Sequence, residues 1–448
     1  MNLIYPFLFA VYPVLSIFVN NLTQVKFSDI LGVAILLLVG SAFILLLLQL
    51  VFRDFEKSGI FLSLFLLLFF SYGHVYRVVE HAIVQQEYLL IIYAFLFIGS
   101  FFIVHKLNRG KKYISSFLAV FAAVLMTILF FGLAFNFFKL ANIERVYLGD
   151  KEAQLLNVKS RPDIYYIILD EYAGLNQIKN VYHYDNSEFA NHLIKKGFFI
   201  AKESKTKVPS TGYSLATSLN MEYPEEKASP YYMIHKNKVA RVLRALGYKY
   251  IHFGSWWLGT SRSEFADKNI NLAIFNEVVT TLLSNSLFRS WVFSGTLARQ
   301  DIVLNTFAQL AEIPTMDWEE PKFIFAHIIC PHEPFVFGRN GEEIPFKDRT
   351  NWKDKSIYLG QYIFITRKVK TLVDKILSKL KRPSVIVIQS DHGVRKFKGA
   401  DEIFNAYYLP YGGNKLLWNS IDPVDTFRVV FNYYFGARYK YLSADKKG

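Results

Sequence analysis

The stretch Ser384-Val385-Ile386-Val387-Ile388-Gln389-Ser390-Asp391-His392-Gly393 decides the fold. Its continuous apolar, β-branched run predicts a strand buried on both faces, as in a parallel sheet covered by helices. The run ends in an acid, an imidazole and a glycine. An Asp and a His at the end of a buried strand cost desolvation energy unless something pairs with them. A divalent metal is a suitable partner, and His plus carboxylate suits zinc, manganese or iron better than calcium. The same residues also fit a polar strand-end turn in which Gly393 supplies a positive φ.

Three further segments read as buried strands: Ile164–Leu169, Tyr248–Phe253 and Phe323–Ile329, the second being less apolar and nearer an edge. Helical patterns lie between them at Ser187–Lys196, Lys238–Leu246, Ile302–Ala311 and Gln361–Leu380. Strands alternating with helices predict a mostly parallel sheet with helices on both faces, an α/β/α sandwich. Ligands in such sheets bind beyond the carboxyl ends of the strands. Three strand ends carry polar chemistry: Asp170-Glu171, then Cys330-Pro331-His332-Glu333-Pro334, then Asp391-His392. If the strands are parallel, all three deliver acids and imidazoles to one edge, and clustered like charges need a cation.

The first third of the chain is a different material. Of 448 residues, 52% are hydrophobic and 17% aromatic, and the apolar excess is concentrated at the N-terminus. About 20 apolar residues cross a bilayer core. Five segments qualify, at about 3–25, 31–52, 59–76, 88–104 and 113–138. Arg53 and Lys57 lie between the second and third, and Lys106, Arg109, Lys111 and Lys112 between the fourth and fifth; the other two loops offer only Lys26 and Arg77. The positive-inside rule puts the two basic loops and the N-terminus in the cytoplasm and everything after Phe138 outside. Residues 1–138 are thus expected to be a five-helix transmembrane domain, 139–161 an interfacial connector and 162–448 an exported globular domain.

The formal charge of +14 fits a domain near anionic headgroups, and no nucleic-acid motif accompanies it. A single cysteine, Cys330, excludes an intramolecular disulfide and reads as a small buried residue.

The segment Val208-Pro209-Ser210-Thr211-Gly212-Tyr213 turns into a short helix, and from spacing alone Ser210 or Thr211 reads as its cap. With Thr211 added, the order Ile164–Asp170, Thr211, Pro331-His332-Glu333-Pro334-Phe335 and Ser390-Asp391-His392-Gly393 resembles the sulfatase-like branch of the alkaline phosphatase superfamily. Over its full length the chain is similar to the membrane-anchored members, among them lipoteichoic acid synthases and phosphoethanolamine transferases. The resemblance implies Asp170, Thr211, Asp391 and His392 as metal ligands, Thr211 as nucleophile and His332 as a histidine facing the substrate or leaving group. Two-metal members of that superfamily carry further Asp and His ligands after the nucleophile; here only His332 can be placed, with Glu171 as a remote candidate, so one divalent ion is expected, with manganese, magnesium, zinc and calcium all open. The expected activity is phosphoryl transfer or hydrolysis on a lipid-linked or cell-envelope substrate. Sulfuric ester hydrolysis and a catalytically silent envelope protein are the alternatives. The first is disfavoured because the Cys/Ser-x-Pro-x-Arg context of formylglycine formation is missing around Thr211.

Among the remaining polar and aromatic residues, Arg395 reads as a phosphate ligand or a surface arginine, and Trp256 and Trp257 as a lipid or sugar platform or as packing. Glu171 reads either as a carboxylate that tunes the site or as a solvated neighbour of Asp170, the second favoured because most acids are exposed. His252 and His327 read as satisfied core histidines, and His74 and His81 suggest nothing specific.

Overall fold

A computed structural model describes residues 3–22, 25, 27–79, 86–141, 156–225, 228–263, 265–270, 277–289 and 297–443. Lys26, His81 and most of the expected connector, from Glu144 and Arg145 to Asp150, Lys151 and Leu155, lie outside the described residues. The chain divides into two compact units, one of residues 1–144 with 275–295, the other of 145–274 with 296–448.

The first unit holds α1 (Tyr5–Asn20), α2 (Phe27–Phe52), α3 (Phe55–Val79), α4 (Gln86–Lys106) and α5 (Lys111–Ala141). Among the described residues four helices are long and apolar enough to cross a membrane, with α1 a shorter apolar helix of 16 residues. At 1.5 Å per residue α1 spans about 24 Å, short of the roughly 30 Å of bilayer hydrocarbon. Lys57 Nζ donates to His105 O at 2.8 Å and to Asn108 Oδ1 at 3.3 Å, and Lys111 pairs with Asp54. The two basic loops therefore sit together at one end of the bundle, as alternating spans require.

The second unit is built on a seven-stranded sheet: β1 (Asp163–Leu169), β2 (Phe199–Ile200), β3 (Lys249–Phe253), β4 (Lys268–Ile270), β5 (Lys322–Ile328), β6 (Ser384–Ser390) and β7 (Asn405–Tyr408), in the order β2-β7-β6-β1-β5-β3-β4. β6, β1, β5, β3 and β4 are parallel, and β7 runs antiparallel to β6. Side chains alternate across a strand, and β1 shows why its sequence is apolar throughout. Tyr165, Ile167 and Leu169 enter one core; Ile164, Tyr166 and Ile168 enter the other. α6 (Leu175–Tyr182), α7 (Ser187–Lys195) and α13 (Lys355–Lys379) cover the first face. α8 (Thr211–Asn220), α10 (Lys238–Ala245) and α14 (Pro423–Tyr434) cover the second. The expected α/β/α architecture is what forms. Between these helices, α9 (Pro230–His235), α11 (Glu277–Ser284) and α12 (Leu297–Leu310) complete the order.

The amino end of the sheet is closed by a buried ion pair. Asp163 Oδ1 accepts from the Lys322 backbone N–H at 2.8 Å, and Lys322 Nζ lies 3.5 Å from Asp163 Oδ2. Both side chains are about 5% exposed, so neither charge has water to fall back on. Removing Lys322 leaves Asp163 with the more distant, part-exposed Arg382, whose Nη1 lies 3.8 Å from Oδ1. Lys322→Met is expected to destabilise this unit by roughly 3 kcal/mol. A urea midpoint of the full chain, followed by tryptophan fluorescence, that matched the parent would contradict that.

Candidate active site and metal centre

Parallel pairing aligns the three polar strand ends. Leu169 is in register with Ser390 on β6 and with Ile328 on β5, so the chain leaves all three strands at one level. Asp170 N–H donates to Ile328 O at 3.0 Å, and His332 N–H donates to Asp170 O at 3.1 Å. These bonds fix the segment after β5 beside the end of β1.

Asp170, Asp391 and His392 are buried, and one ligand atom of each lies within 4.8 Å of the other two. His392 Nε2 is 3.4 Å from Asp391 Oδ2 and 3.8 Å from Asp170 Oδ1. Its Nδ1 is 2.7 Å from Gly393 O, which favours the proton there and leaves the Nε2 lone pair facing the carboxylates. The other carboxylate oxygens have neighbours of their own. Asp391 Oδ1 accepts from the Glu171 and His392 backbone N–H groups at 3.0 and 2.8 Å, and Asp170 Oδ2 faces His327 Nε2 at 3.4 Å. Asp170 Oδ1 and Asp391 Oδ2 are buried with no hydrogen-bond partner among the described residues. Two orphaned anionic oxygens and an imidazole nitrogen converging on one point fit a divalent cation. Burial alone would raise the Asp170 carboxyl, but His332, His327 and His392 outweigh it and hold the group below the ordinary carboxylate range.

Thr211 is the first residue of α8, and the cap expectation fails there. Ser210 has extended backbone (φ −148°, ψ 131°) but makes no side-chain cap bond, and Thr211 Oγ1 instead lies 3.3 Å from His392 Nε2. The threonine hydroxyl thus faces the carboxylate–imidazole cluster. Gly393 also behaves differently from the turn expectation, since its φ is not positive. A Cβ at Gly393 would meet Gln177 Oε1 at 2.5 Å and Glu402 O at 2.8 Å, so glycine is needed there for close approach of other chain segments.

Glu171 corrects the sequence expectation: it is 2% exposed, not solvated. Its backbone sits at φ 56°, a left-handed conformation that a non-glycine residue adopts only when its surroundings impose it. Those surroundings are the N–H bond to Asp391 and a carbonyl that accepts from Tyr358 Oη at 2.8 Å. The side chain faces His332, whose Nε2 lies 3.8 Å from Glu171 Oε2, and Oε1 accepts from the Arg395 backbone N–H at 3.2 Å. Burial raises the Glu171 carboxyl, with His332 and His392 opposing. Burial pulls His332 down, but Asp170 and Glu171 outweigh it and hold the imidazolium above its ordinary value. Arg395 Nη2 lies 3.2 Å from His332 Nε2 with its side chain half exposed, at the mouth of the cluster rather than on a remote surface.

His327 is the residue that sequence reasoning undervalued. It is satisfied in part, with Nδ1 2.8 Å from Thr260 Oγ1, but its Nε2 addresses Asp170. His252 is the core histidine expected, held between Tyr250 Oη and Thr260 O at 2.9 Å each, its pKa lowered to about 4 by burial. The tryptophans mostly pack. Trp257 lies edge-on to His327 with centroids 5.7 Å apart, and the Arg299 guanidinium lies 5.5 Å over Trp256. Cys330 is buried, as expected, and burial pushes its thiol up.

Residues 162–421 match the sulfatase family model, more than half of the chain, and the chain belongs to the sulfatase family. Solved structures similar to it include the lipooligosaccharide phosphoethanolamine transferase A of Neisseria meningitidis, an integral membrane protein (13% identity, 96% of this chain and 94% of that chain, TM-score 0.44). The C-terminal periplasmic domain of EptC from Escherichia coli is similar over 64% of this chain and 86% of its own (14% identity, TM-score 0.43). The corresponding domain of the phosphoethanolamine transferase EptC from Campylobacter jejuni is similar over 61% and 90% (10% identity, TM-score 0.39). No curated protein matches the chain.

Proposed function

We propose that this protein is a metal-dependent phosphotransferase or phosphohydrolase with Thr211 as nucleophile, acting on a lipid-linked or cell-envelope phosphoester outside the cytoplasmic membrane. One observation carries the reading. The hydroxyl of Thr211, the first residue of α8, is turned onto His392, beside the unpartnered oxygens of Asp170 and Asp391.

Asp170, Asp391 and His392 would hold the divalent ion, with Thr211 beside it. When bound, the ion lowers the pKa of the threonine hydroxyl and neutralises charge on the phosphoryl oxygens. Thr211 Oγ1, its proton released to solvent, would attack phosphorus in line, forming the Thr–O–P bond as the bond to the leaving oxygen breaks. The N–H groups opening α8 point where phosphoryl oxygens are held at helix starts. His332, whose charged form Asp170 and Glu171 favour, would give a proton to the departing alkoxide. Arg395, beside His332, suits a phosphate oxygen. Water completes hydrolysis; a second hydroxyl completes transfer. The paired basic loops support an N-terminus in the cytoplasm and a catalytic domain outside, because that placement keeps six basic residues from crossing the membrane.

Sulfatase family membership favours sulfuric ester hydrolysis as the second reading. The two separate when the full chain, in detergent, is given phosphodiester, phosphomonoester and sulfate ester substrates with magnesium, manganese, zinc or calcium. Metal-dependent phosphoester turnover is expected. Turnover confined to sulfate esters would replace the reading with its alternative, and no turnover with any metal would favour a silent envelope protein.

A further inference from the structure

The chain passes between its two units more than once. After β4 it enters residues 275–295, which belong to the unit of α1–α5, and it then returns to the sheet unit at α12. We propose that residues 277–289 are a second, non-covalent anchor of the exported domain in the membrane bundle, independent of the chain link that follows α5.

The contacts are those of a built joint. α11 packs against α1 and α2, and Leu282 is 4% exposed within the apolar core of the bundle. The turn after it hooks α3. Gly73 N–H donates to Asn285 O at 3.1 Å, and Phe69 O accepts from Leu287 N–H at 3.0 Å. Phe69 and Gly73 stand at i and i+4, the acceptor and donor that a regular helix joins to each other. The insert therefore addresses α3 through its backbone, which requires an unusually close approach. Gly73 permits it, because a Cβ there would meet Ser284 O at 2.3 Å and Asn285 Cα at 2.6 Å. Side chains complete the joint. Arg77 Nη2 donates to Asn285 Oδ1 at 2.7 Å, the Phe69 and Phe288 rings meet edge to face at 5.3 Å, and the Arg289 guanidinium lies 4.7 Å over Tyr76. Leu287 packs on Tyr72, Leu89 and Tyr93.

The position agrees with topology. Consecutive spans alternate, so α3 and α5 end on the same side of the bundle. Gly73 lies six residues before the end of α3, about 9 Å along the helix. The insert thus reaches below the helix end, where buried apolar surface and backbone hydrogen bonds are not exchanged for water.

The test is a full-length chain with a protease site placed between residues 145 and 155. After cleavage of purified protein in detergent, the C-terminal fragment is expected to co-elute with the helix bundle. Gly73→Leu, and separately Leu282→Asp with Leu287→Asp, are expected to release at least tenfold more fragment. Benzoylphenylalanine at position 288 is expected to photo-crosslink the two fragments, which checks the joint without disturbing its backbone. Quantitative release of the parent fragment, retention unmoved by both sets of substitutions, or no crosslink from position 288 would each overturn the anchor.

Discussion

Thr211→Ala is expected to lower phosphoester turnover by at least about a thousandfold while the protein still binds its metal, because the loss of a nucleophile removes the bond-forming atom itself. Three features make the prediction sharp. Thr211 Oγ1 is not a cap, so its removal costs α8 no side-chain bond. Its one hydrogen-bonded neighbour among the described residues is His392 Nε2 at 3.3 Å, and His392 keeps its Nδ1 contact to Gly393 O without the threonine. Its backbone N–H remains at the helix start. An unfolding midpoint close to the parent, unchanged metal content and collapsed turnover together identify a nucleophile. Thr211→Ser is expected to retain a measurable fraction of activity, since it keeps the oxygen. Equal turnover in the parent and Thr211→Ala would remove the threonine from the reaction and leave a water molecule as the attacking group.

The parts of this molecule legible in sequence are those where one residue type carries one meaning. β1, β5 and β6 are buried on both faces, so their runs are apolar at every position and nothing else explains them. β2, β4 and β7 are two to four residues long and carry too little pattern to stand out. Asp170, Asp391 and His392 were legible because a polar residue ending such a run contradicts its surroundings. His327 was not, although it touches Asp170. It lies inside β5 one residue before the strand ends, and in a strand with two apolar faces neither face marks it as special. Glu171 was hidden by the opposite error, the expectation that an acid in a strand-end loop faces water. Only its left-handed backbone and its contact with His332 reveal the burial. In sequence, residues 277–289 fall inside the exported domain expected at 162–448, with no helix assigned to them. Their apolar residues do enter a core, but it is the core of the membrane unit, and local periodicity carries no information about which core a helix joins.

Asp391→Asn is expected to abolish binding of the divalent ion and, with it, turnover. Asp391 is the most committed member of the cluster. It is fully buried, one oxygen orients two backbone N–H groups, and the other faces His392 Nε2 with no hydrogen-bond partner among the described residues. Asparagine keeps the size and can keep the two backbone bonds through its carbonyl, so the fold should persist. What it loses is the anionic oxygen, and its amide N–H₂ would point donors at the cation. The readout is metal content of the full chain, expected to fall from about one ion per chain to background. Stability supplies the second readout. A ligand present at about a hundred times its Kd stabilises the folded state by about 2.7 kcal/mol, so a chelator should lower the melting temperature of the parent. The same chelator should leave Asp391→Asn unmoved, because that variant has no ion to lose. Asp170 Oδ1 and Asp391 Oδ2 also repel when the cation is withdrawn, and the substitution removes one of those two charges. The chelated parent should therefore melt below the chelated variant, an inversion that a merely destabilising substitution cannot produce. A parent that melts the same with and without chelator would mean that these carboxylates hold no ion, and the proposed chemistry would fail with them.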